Sequence, residues 1–458
     1  MKLTHIALAA LALAAGSTAF AGTERLAGAS ASAISVVKGL KNLCGANTFT
    51  LFKQSSSLSS TGNIWTATCS ANFTGTTDQV RFNNGGGSLT AVSSAALGGN
   101  VAVTLLNPAA ATCSNLNAGT GVLSFLAAGE IKNCTTTGTV SETTEGGFMD
   151  VDGTVFRANG LTIPASVNDA TDYVASSFQQ AFGVGVSPTL YAALQSYQVA
   201  TGQLPSTCTG ASPTFTVTAP ALTTPACQPS LSRAQIASYM SGASNARTAG
   251  VSMLFGGTNL VKTDSTWTNA PAAATPVTYC RRPNTSGTQA SAQLYFLNSP
   301  TGSGELGGLA LVVGSNAVPT PPATSTVVTQ VKLVIDTRTG TSDVKTCMNT
   351  AAGYAFGVVS LENNPIGGSD TYRLVKINGV SGTEGTSATD SNTVEAIRGN
   401  YDFVYNTAIY CPGGTCAPIL TAINNAVVAG NGSPGIFLTT EAKFLRGSNK
   451  PTRPLVLK

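Results

Sequence analysis

The number of cysteines constrains the fold of this chain more than any other sequence feature. The sequence has ten of them, at Cys44, Cys69, Cys113, Cys134, Cys208, Cys227, Cys280, Cys347, Cys411 and Cys416. An even number of cysteines in an exported chain predicts disulfides, which would be five here. We expect each cysteine to pair with its neighbour in sequence, although sequence alone does not fix connectivity. A zinc site is disfavoured because the chain contains no Cys-x-x-Cys pair.

The first 21 residues have the features of a signal peptide. Lys2 precedes an apolar run over residues 6–15, and Ala19, Phe20 and Ala21 form a small-residue cleavage site. The apolar run is too short to span a bilayer, and no later segment offers about 20 consecutive apolar residues. We therefore expect a soluble protein without a membrane span, either periplasmic or secreted.

The histidine content narrows the possible chemistry. The single histidine, His5, lies in the predicted signal peptide, so the mature chain would have no Ser-His-Asp triad, no Cys-His pair and no His-ligated metal.

Charged residues make up only 10% of the chain, against about 25% in ordinary soluble domains. The formal net charge of +4 is too weak to indicate nucleic acid or a membrane surface as a partner. We expect no enzymatic activity, no metal and no cofactor.

Strand-like and helix-like runs alternate along the sequence. Examples are strand-like runs at 49–52 and 64–68 and an amphipathic helix through Ile34 and Leu40. This alternation predicts an α/β fold with mostly parallel sheets. Since a mature chain of roughly 437 residues exceeds one ordinary core, two or more lobes are expected. Residues 100–147 and 202–229 each contain two cysteines and resemble insertions held by disulfides.

In mostly parallel sheets, ligands bind on the loops that connect strand ends to helices. Three such turns are rich in glycine or hydroxyl groups: 28–30, 85–88 and 285–288. In the third, Arg281 and Arg282 follow a strand-like run and precede a predicted helix start. Free N–H groups at a helix N-terminus bind anions, and an arginine fork binds two oxygens of a tetrahedral anion. The same pattern is also typical of a solvated loop before a capped helix.

These turns, in this order, resemble the periplasmic phosphate-binding proteins of ABC importers, which are type II periplasmic binding proteins. The family motif Arg-Arg-x-Asp-x-Ser-Gly-Thr is similar to residues 281–288, Arg-Arg-Pro-Asn-Thr-Ser-Gly-Thr. The family's opening Gly-Ala-Gly-Ala-Ser/Thr is similar to residues 26–31, and its second Gly/Ser-rich loop to residues 84–88. Its Phe-Gly-x-Ser-Asp segment is similar to residues 148–152.

The resemblance implies two Rossmann-like lobes with mixed, mostly parallel sheets joined by a hinge. Residues 178–186 and 353–359 are similar to the segments where the family's chain crosses between the lobes and returns. The implied division is a signal peptide at 1–21, a first part of lobe 1 at 22–178 with an insertion around 100–147, lobe 2 at 179–352 with an insertion around 202–229, and a return to lobe 1 at 353–458.

The resemblance also implies a ligand-binding set. Its members would be Ser30, Ala31, Gly85, Asp152, Arg282, Ser286, Gly287 and Thr288. Arg282 would supply the charged fork, held by Asn284 where the family has an acidic residue, and Gly85 stands where the family has a serine. Asp152 would accept a hydrogen bond from a protonated phosphate oxygen and so select hydrogen phosphate over sulfate. Asp150 and Asp152 would otherwise be simple turn residues.

The leading hypothesis is an exported solute-binding protein that closes on phosphate or a similar tetrahedral oxyanion. It would deliver this anion to the permease of an ABC importer. The alternative is a secreted or surface structural protein that keeps the fold without transport. An enzyme acting on phosphate esters ranks third, because the mature chain would lack histidine.

Overall fold

The computed structural model describes residues 22–97, 102–158, 161–208, 224–255, 275–298, 325–365, 370–383, 394–429, 435–439, 444–445 and 456–457. The predicted signal peptide and residues 209–223 of the second predicted insertion lie outside the described residues. None of the described helices is long and apolar enough to cross a bilayer.

The first sheet is built from the N-terminal part of the chain. The strands in this part are β1 (Gly22–Ala27), β2 (Phe49–Lys53), β3 (Ile64–Cys69), β4 (Thr77–Asn83), β5 (Val103–Leu106), β6 (Cys113–Asn115), β7 (Ile131–Cys134) and β8 (Thr139–Glu142). Six of them form one sheet in the order β1-β4-β3-β2-β7-β6, and β5 pairs with β8. Within the six-stranded sheet, β1 and β4 are parallel, as are β2 and β7.

A ten-stranded sheet forms the larger layer. Its strands are β9 (Gly147–Met149), β10 (Tyr173–Val186), β11 (Ser230–Leu231), β12 (Val277–Arg281), β13 (Ser325–Gln330), β14 (Leu333–Arg338), β15 (Tyr354–Ser360), β16 (Arg373–Ile377), β17 (Val404–Tyr410) and β18 (Ile436–Leu438). The main order is β11-β16-β10-β15-β12-β14-β13. The long β10 also pairs with β17 and β18, and β17 pairs with β9. Two short strands, β19 (Phe444–Leu445) and β20 (Val456–Leu457), pair with each other.

Ten α-helices are described between these strands. They are α1 (Ala33–Cys44), α2 (Leu89–Leu97), α3 (Gly153–Ala158), α4 (Pro188–Ala200), α5 (Arg233–Met240), α6 (Ser244–Ala249), α7 (Gly287–Leu297), α8 (Thr341–Thr350), α9 (Val394–Arg398) and α10 (Pro418–Ala429). The expected α/β class is therefore confirmed in its general form.

The expectation of mostly parallel sheets is wrong for the described strands. Parallel pairing is found for β12 with β14 and with β15, but antiparallel pairings outnumber parallel ones across the sheets. Part of the reason lies in the connections, because short turns join antiparallel neighbours whereas parallel neighbours need a longer crossover. For example, only Val331 and Lys332 connect β13 to β14. The rest lies in the long β10, which pairs antiparallel with β15, β16, β17 and β18.

The C-terminal helix α10 lies directly against the N-terminal helix α1. A Cβ atom on Gly39 would lie 3.1 Å from the carbonyl oxygen of Ile423, so glycine is what permits the close approach of the two helices. Asn42 Nδ2 donates a hydrogen bond to the carbonyl oxygen of Ala426, 3.3 Å away. Helix α10 thus packs against the middle and the C-terminal half of α1.

The five predicted disulfides are confirmed. The pairs are Cys44–Cys69, Cys113–Cys134, Cys208–Cys227, Cys280–Cys347 and Cys411–Cys416. Four of them are separated by 25 residues or fewer, but Cys280 and Cys347 lie 67 residues apart. That bond joins β12 to α8. It therefore fixes the relative position of two elements that carry the candidate site.

Candidate functional site

Five loops that each lead from a strand to a helix meet at one place. They are the β1–α1, β4–α2, β9–α3, β12–α7 and β14–α8 loops, which contribute Ser30, Ser88, Asp150, Arg282 and Thr341 respectively. Because β12 and β14 are parallel neighbours, their carboxyl ends lie at the same edge of the larger sheet. The loops that follow them are therefore brought side by side.

Arg282 is at the centre of this cluster. Its Nη1 donates to Ser30 Oγ and to Thr341 Oγ1, both at 2.9 Å, and these two hydroxyl oxygens are 2.8 Å apart. The side chain is only 1% exposed, yet its Nε and Nη2 have no hydrogen-bond partner. This leaves one edge of the guanidinium group, the edge that binds two oxygens of an anion side-on, with unused donors.

The charge of Arg282 has little compensation nearby. Burial lowers the pKa of Arg282 to about 10, while the negative charges of Asp150 and Asp343 act against this shift. The guanidinium group therefore stays protonated at neutral pH. An unpaired buried cation is costly unless another group supplies the missing negative charge and acceptors.

Asp150 lies at the N-terminus of α7. Its Oδ2 accepts a hydrogen bond from the hydroxyl of Thr288 at 3.0 Å, and its backbone N–H donates to Ser88 Oγ at 3.1 Å. Its Oδ1 is buried without a partner. Burial raises the pKa of Asp150 to about 7, against the hydrogen bond from Thr288 and the positive charge of Arg282. Near neutral pH this carboxyl group can therefore either accept or donate a proton.

Two glycines allow the loops to touch. A Cβ atom on Gly87, whose φ is +80°, would lie 2.7 Å from both Ser286 Cα and Thr285 O. A Cβ atom on Gly287 would lie 2.3 Å from Ser88 Oγ and 2.6 Å from Asp150 Cβ. A larger residue at either position would push the β4–α2 and β12–α7 loops apart.

The structure brings part of the predicted ligand set together. Ser30, Arg282, Gly287 and Thr288 are all in the cluster, through the contacts described above. Ser286 is buried at the start of α7 and its N–H donates to Pro283 O at 3.0 Å.

Three other predicted residues make different contacts. Ala31 is buried in the larger hydrophobic core. The N–H of Gly85 donates to the side chain of Asn83 at 2.8 Å. Asp152 Oδ1 accepts from the N–H of Thr154 at 2.8 Å and from its hydroxyl, at the start of α3. The carboxylate that contacts Thr288 is thus that of Asp150, two residues earlier.

The expected support of Arg282 by Asn284 also differs in the structure. Asn284 Oδ1 accepts hydrogen bonds from Arg281 and from Gln293 Nε2, the latter at 3.2 Å. Arg281 in turn donates through Nε to the backbone carbonyl of Arg282 at 2.8 Å. Asn284 therefore holds Arg281, and the side chain of Arg282 is positioned by the hydroxyls of Ser30 and Thr341 instead.

A small open cleft, with a cavity volume of about 30 Å³, adjoins the cluster. Ser30 and Thr341, whose hydroxyls accept from Arg282, are among the residues that line it. The remaining lining is largely hydroxyl and amide groups from the β2–β3 loop, the start of α8 and the segment after β15. In the described part of the chain, no group of His, Cys, Asp and Glu side chains is arranged to hold a metal ion.

Neither a comparison with known protein families nor one with curated proteins finds a match. Among solved structures, the chain is similar to one assigned as a phosphate ABC transporter substrate-binding protein with bound phosphate, from Clostridium perfringens. The two share 12% of residues with a TM-score of 0.31, and the match covers 59% of this chain and 73% of the other. A TM-score this low does not establish a shared fold, and the function proposed for this chain rests on its own site residues.

Proposed function

We propose that this protein is an exported binding protein for phosphate or a similar tetrahedral oxyanion. The observation that carries this proposal is the guanidinium group of Arg282, which is 1% exposed and has two unpaired nitrogen donors. A bound oxyanion would accept from these donors and offset the cost of burying the charge. We propose binding without catalysis.

The surrounding groups suit such an anion. The hydroxyls of Ser30 and Thr341 accept from Arg282 and bond to each other, so the one whose proton is not used between them would donate to an oxygen of the anion. The N-termini of α1, α7 and α8 follow the three loops that carry Ser30, Arg282 and Thr341, and their dipoles favour negative charge. We assign to Asp150 the part that the resemblance gives to Asp152, because its unpaired Oδ1 would accept from a protonated phosphate oxygen.

We further propose that the protein has two hinged lobes that close on the anion. Lobe 1 would contain residues 22–181 and 394–458, and lobe 2 residues 182–383, because β15 and β16 pair with β10 beyond residue 181 and β15 also pairs with β12. The hydrogen bonds of Arg282 to Ser30 and of Thr288 to Asp150 would then be contacts between the lobes. Delivery of the anion to the permease of an ABC importer is part of the same proposal.

Calorimetric titration of the mature protein with phosphate and with sulfate tests the binding function. We expect phosphate to bind more tightly than sulfate. The Arg282→Gln substitution should weaken phosphate binding by about 100-fold or more, because charged hydrogen bonds contribute about 1.5–3 kcal/mol each.

Arg398→Gln is the matched control for the loss of one positive charge. Arg398 is exposed and pairs with Glu395 within α9, so this variant should bind phosphate as the wild type does. Absence of heat with both anions, or equal binding by the Arg282→Gln variant and the wild type, would remove the proposed function.

The second candidate is a secreted or surface structural protein that keeps this fold without transport. The contact between Asp150 and Thr288 favours it. The carboxylate of Asp150 already accepts from a hydroxyl at the N-terminus of α7, a donor that an oxyanion would otherwise use. Cell fractionation separates the two candidates. An importer component must remain in the periplasm, whereas the structural protein would be found in the medium or at the cell surface.

A further inference from the structure

The β2–β3 loop, residues 54–63, connects the first sheet to the candidate site. Its last residue, Asn63, lies between two of the site loops. The carbonyl oxygen of Asn63 accepts a hydrogen bond from the N–H of Asn84 in the β4–α2 loop at 2.9 Å. On the other side, a Cβ atom on Gly340 would lie 2.6 Å from Asn63 Oδ1 and 3.0 Å from Asn63 Nδ2. The amide group of Asn63 is therefore packed against the backbone of the β14–α8 loop.

Gly340 is the residue through which this contact can affect Arg282. It directly precedes Thr341, whose hydroxyl accepts from Arg282 Nη1 at 2.9 Å. It is also the N-cap residue of α8, where its N–H donates to Asp343 Oδ2 at 2.8 Å. A displacement of Gly340 would therefore move Thr341 and the N-terminus of α8 together. Since groups of a binding site must be held within about 0.5 Å of their working positions, such a displacement would weaken anion binding.

A buried lysine anchors the β2–β3 loop. Lys53, the last residue of β2, is 0% exposed, and its Nζ donates to Ser60 O at 2.8 Å and to Ser57 O. Burial lowers the pKa of Lys53 to about 8, so most of the amine is protonated at pH 7 and these hydrogen bonds carry a charge. The loop is therefore held from inside the first sheet only three residues before Asn63.

We propose that Asn63 is a positioning residue of the oxyanion site, anchored by Lys53 and acting through its contact with Gly340. Asn63 keeps the β14–α8 loop at the place where Thr341 meets the guanidinium group of Arg282. In the proposed division Asn63 belongs to lobe 1 and Gly340 to lobe 2, so the contact forms when the lobes close. This role rests on the proposed function, because Arg282 is taken as the oxyanion site.

A double-mutant cycle, measured by calorimetric titration of the mature protein with inorganic phosphate, tests the contact. Asn63→Ala removes the amide group, and Gly340→Ala places a methyl group where the amide lies. Alanine suits the φ of Gly340, −121°, so it adds no backbone strain. Each substitution alone should weaken phosphate binding by about fivefold. The double variant should also lose about fivefold rather than about 25-fold, because the methyl group would occupy the space that the amide leaves. A role confined to the stability of the first sheet would not produce this coupling in binding.

Lys53→Met tests the anchor. Methionine keeps an apolar stem but has no N–H donor, so the β2–β3 loop would lose both hydrogen bonds from Nζ. We expect phosphate binding to weaken by about fivefold, with no further loss when Asn63→Ala is added, because both changes act through one contact. Lys132→Met is the matched control for the charge. Lys132 is a half-buried lysine on the neighbouring strand β7 that packs over the ring of Phe52, and its variant should bind phosphate as the wild type does.

The outcomes separate the role of Asn63 from the function on which it rests. Circular dichroism and thermal melting check that each variant folds, and Gly340→Ala reaches the same contact from the other side if Asn63→Ala fails to fold. Phosphate binding like that of the wild type by either single variant, or losses that multiply in the double variant, overturns the positioning role and leaves oxyanion binding in place. Absence of phosphate binding by the wild type overturns both.

Discussion

At the scale of single residues, the site depends on the opposite charges of Arg282 and Asp150 and on the cost of burying them. Both are almost fully buried, and each has a polar atom without a partner. The attraction between their charges does not compensate for this, since burial still raises the pKa of Asp150 to about 7. A carboxyl group in this state is poised between two protonation forms, and its charge must affect stability as the pH changes.

The sign of this effect follows from the direction of the pKa shift. The folded protein holds the proton of Asp150 up to about pH 7, whereas the unfolded chain releases it near pH 4. The unfolded state therefore binds fewer protons between these values, and stability falls as the pH rises. The contribution of Asp150 to the free energy of unfolding, on the order of 4 kcal/mol, is fully present below about pH 4. It is lost as the pH rises to about 7.

The Asp150→Asn substitution tests this prediction. Asparagine stays neutral at every pH, so the stability of the variant relative to the wild type should increase as the pH rises from about 4 to about 7. Denaturant unfolding of both proteins over this range measures the difference. A difference that does not change with pH would contradict the shifted pKa. Glu395→Gln, in α9, removes a carboxylate that is 19% exposed and paired with Arg398, and this control should not show the same trend.

At the scale of elements, the site depends on how closely two loops approach. The N–H of Leu89, the first residue of α2, donates to Thr285 O at 3.1 Å. The space needed for this contact exists because position 87 is glycine. The β4–α2 and β12–α7 loops therefore form one unit, and a side chain at position 87 would disturb both.

We expect Gly87→Ala to weaken both stability and ligand binding. The new Cβ atom would meet backbone atoms at 2.7 Å, and backbone cannot move aside as a flexible side chain can. Together with a positive φ, this should cost about 2–4 kcal/mol. Denaturant unfolding and phosphate titration measure the two effects.

Gly202→Ala is the matched control for backbone strain. Gly202 also has a positive φ, of +73°, but a Cβ atom there would have no neighbour within 4 Å. This variant should lose only about 1 kcal/mol and bind ligand normally. Equal losses in the two variants would show that strain, and not the close approach of the loops, accounts for the effect at Gly87.

The sequence identified some elements of the site better than others. The Arg281–Thr288 motif and the loop at Ser30 were predicted from their glycine, hydroxyl and arginine residues together with the family resemblance, because those residues alone are also typical of a solvated loop before a capped helix. Thr341 was not predicted. It begins a helix after a strand, as Ser286 and Gly287 do, but its position beside Arg282 follows from the parallel pairing of β12 with β14. Sequence does not reveal which strands are neighbours.

The choice between Asp150 and Asp152 could not be made from the sequence for a similar reason. Both carboxylates lie in the same turn, and the resemblance favoured Asp152. In the structure the direction of the backbone after β9 turns Asp150 towards Thr288, while Asp152 bonds to Thr154 at the start of α3. The direction of each carboxylate depends on the backbone dihedral angles of this turn. Neither composition nor the spacing of residues determines those angles.

At the scale of the whole molecule, the cysteine pairs and the sheets limit which parts can move. Cys280–Cys347 ties β12 to α8, so the loops carrying Arg282 and Thr341 move together. Ser30 and Asp150 follow strands β1 and β9, at the start of the described chain and before β10. If lobe 2 moves relative to lobe 1 as proposed, the contacts of Arg282 with Ser30 and of Thr288 with Asp150 would break, while Arg282 would stay bound to Thr341.

This arrangement predicts that the ligand changes the shape of the protein. If the two proposed lobes exist, the contacts between them would include an unpaired buried cation, which an anion would stabilise in the closed state and not in an open one. Small-angle X-ray scattering of the mature wild type should therefore give a smaller radius of gyration with saturating ligand than without it. The Arg282→Gln variant should keep the larger value in both conditions, and Arg398→Gln should behave as the wild type does. The wild type could instead have the same radius of gyration with and without ligand although calorimetry shows binding. That result would mean that the site is rigid. It would overturn the proposed hinge but not the proposed oxyanion binding.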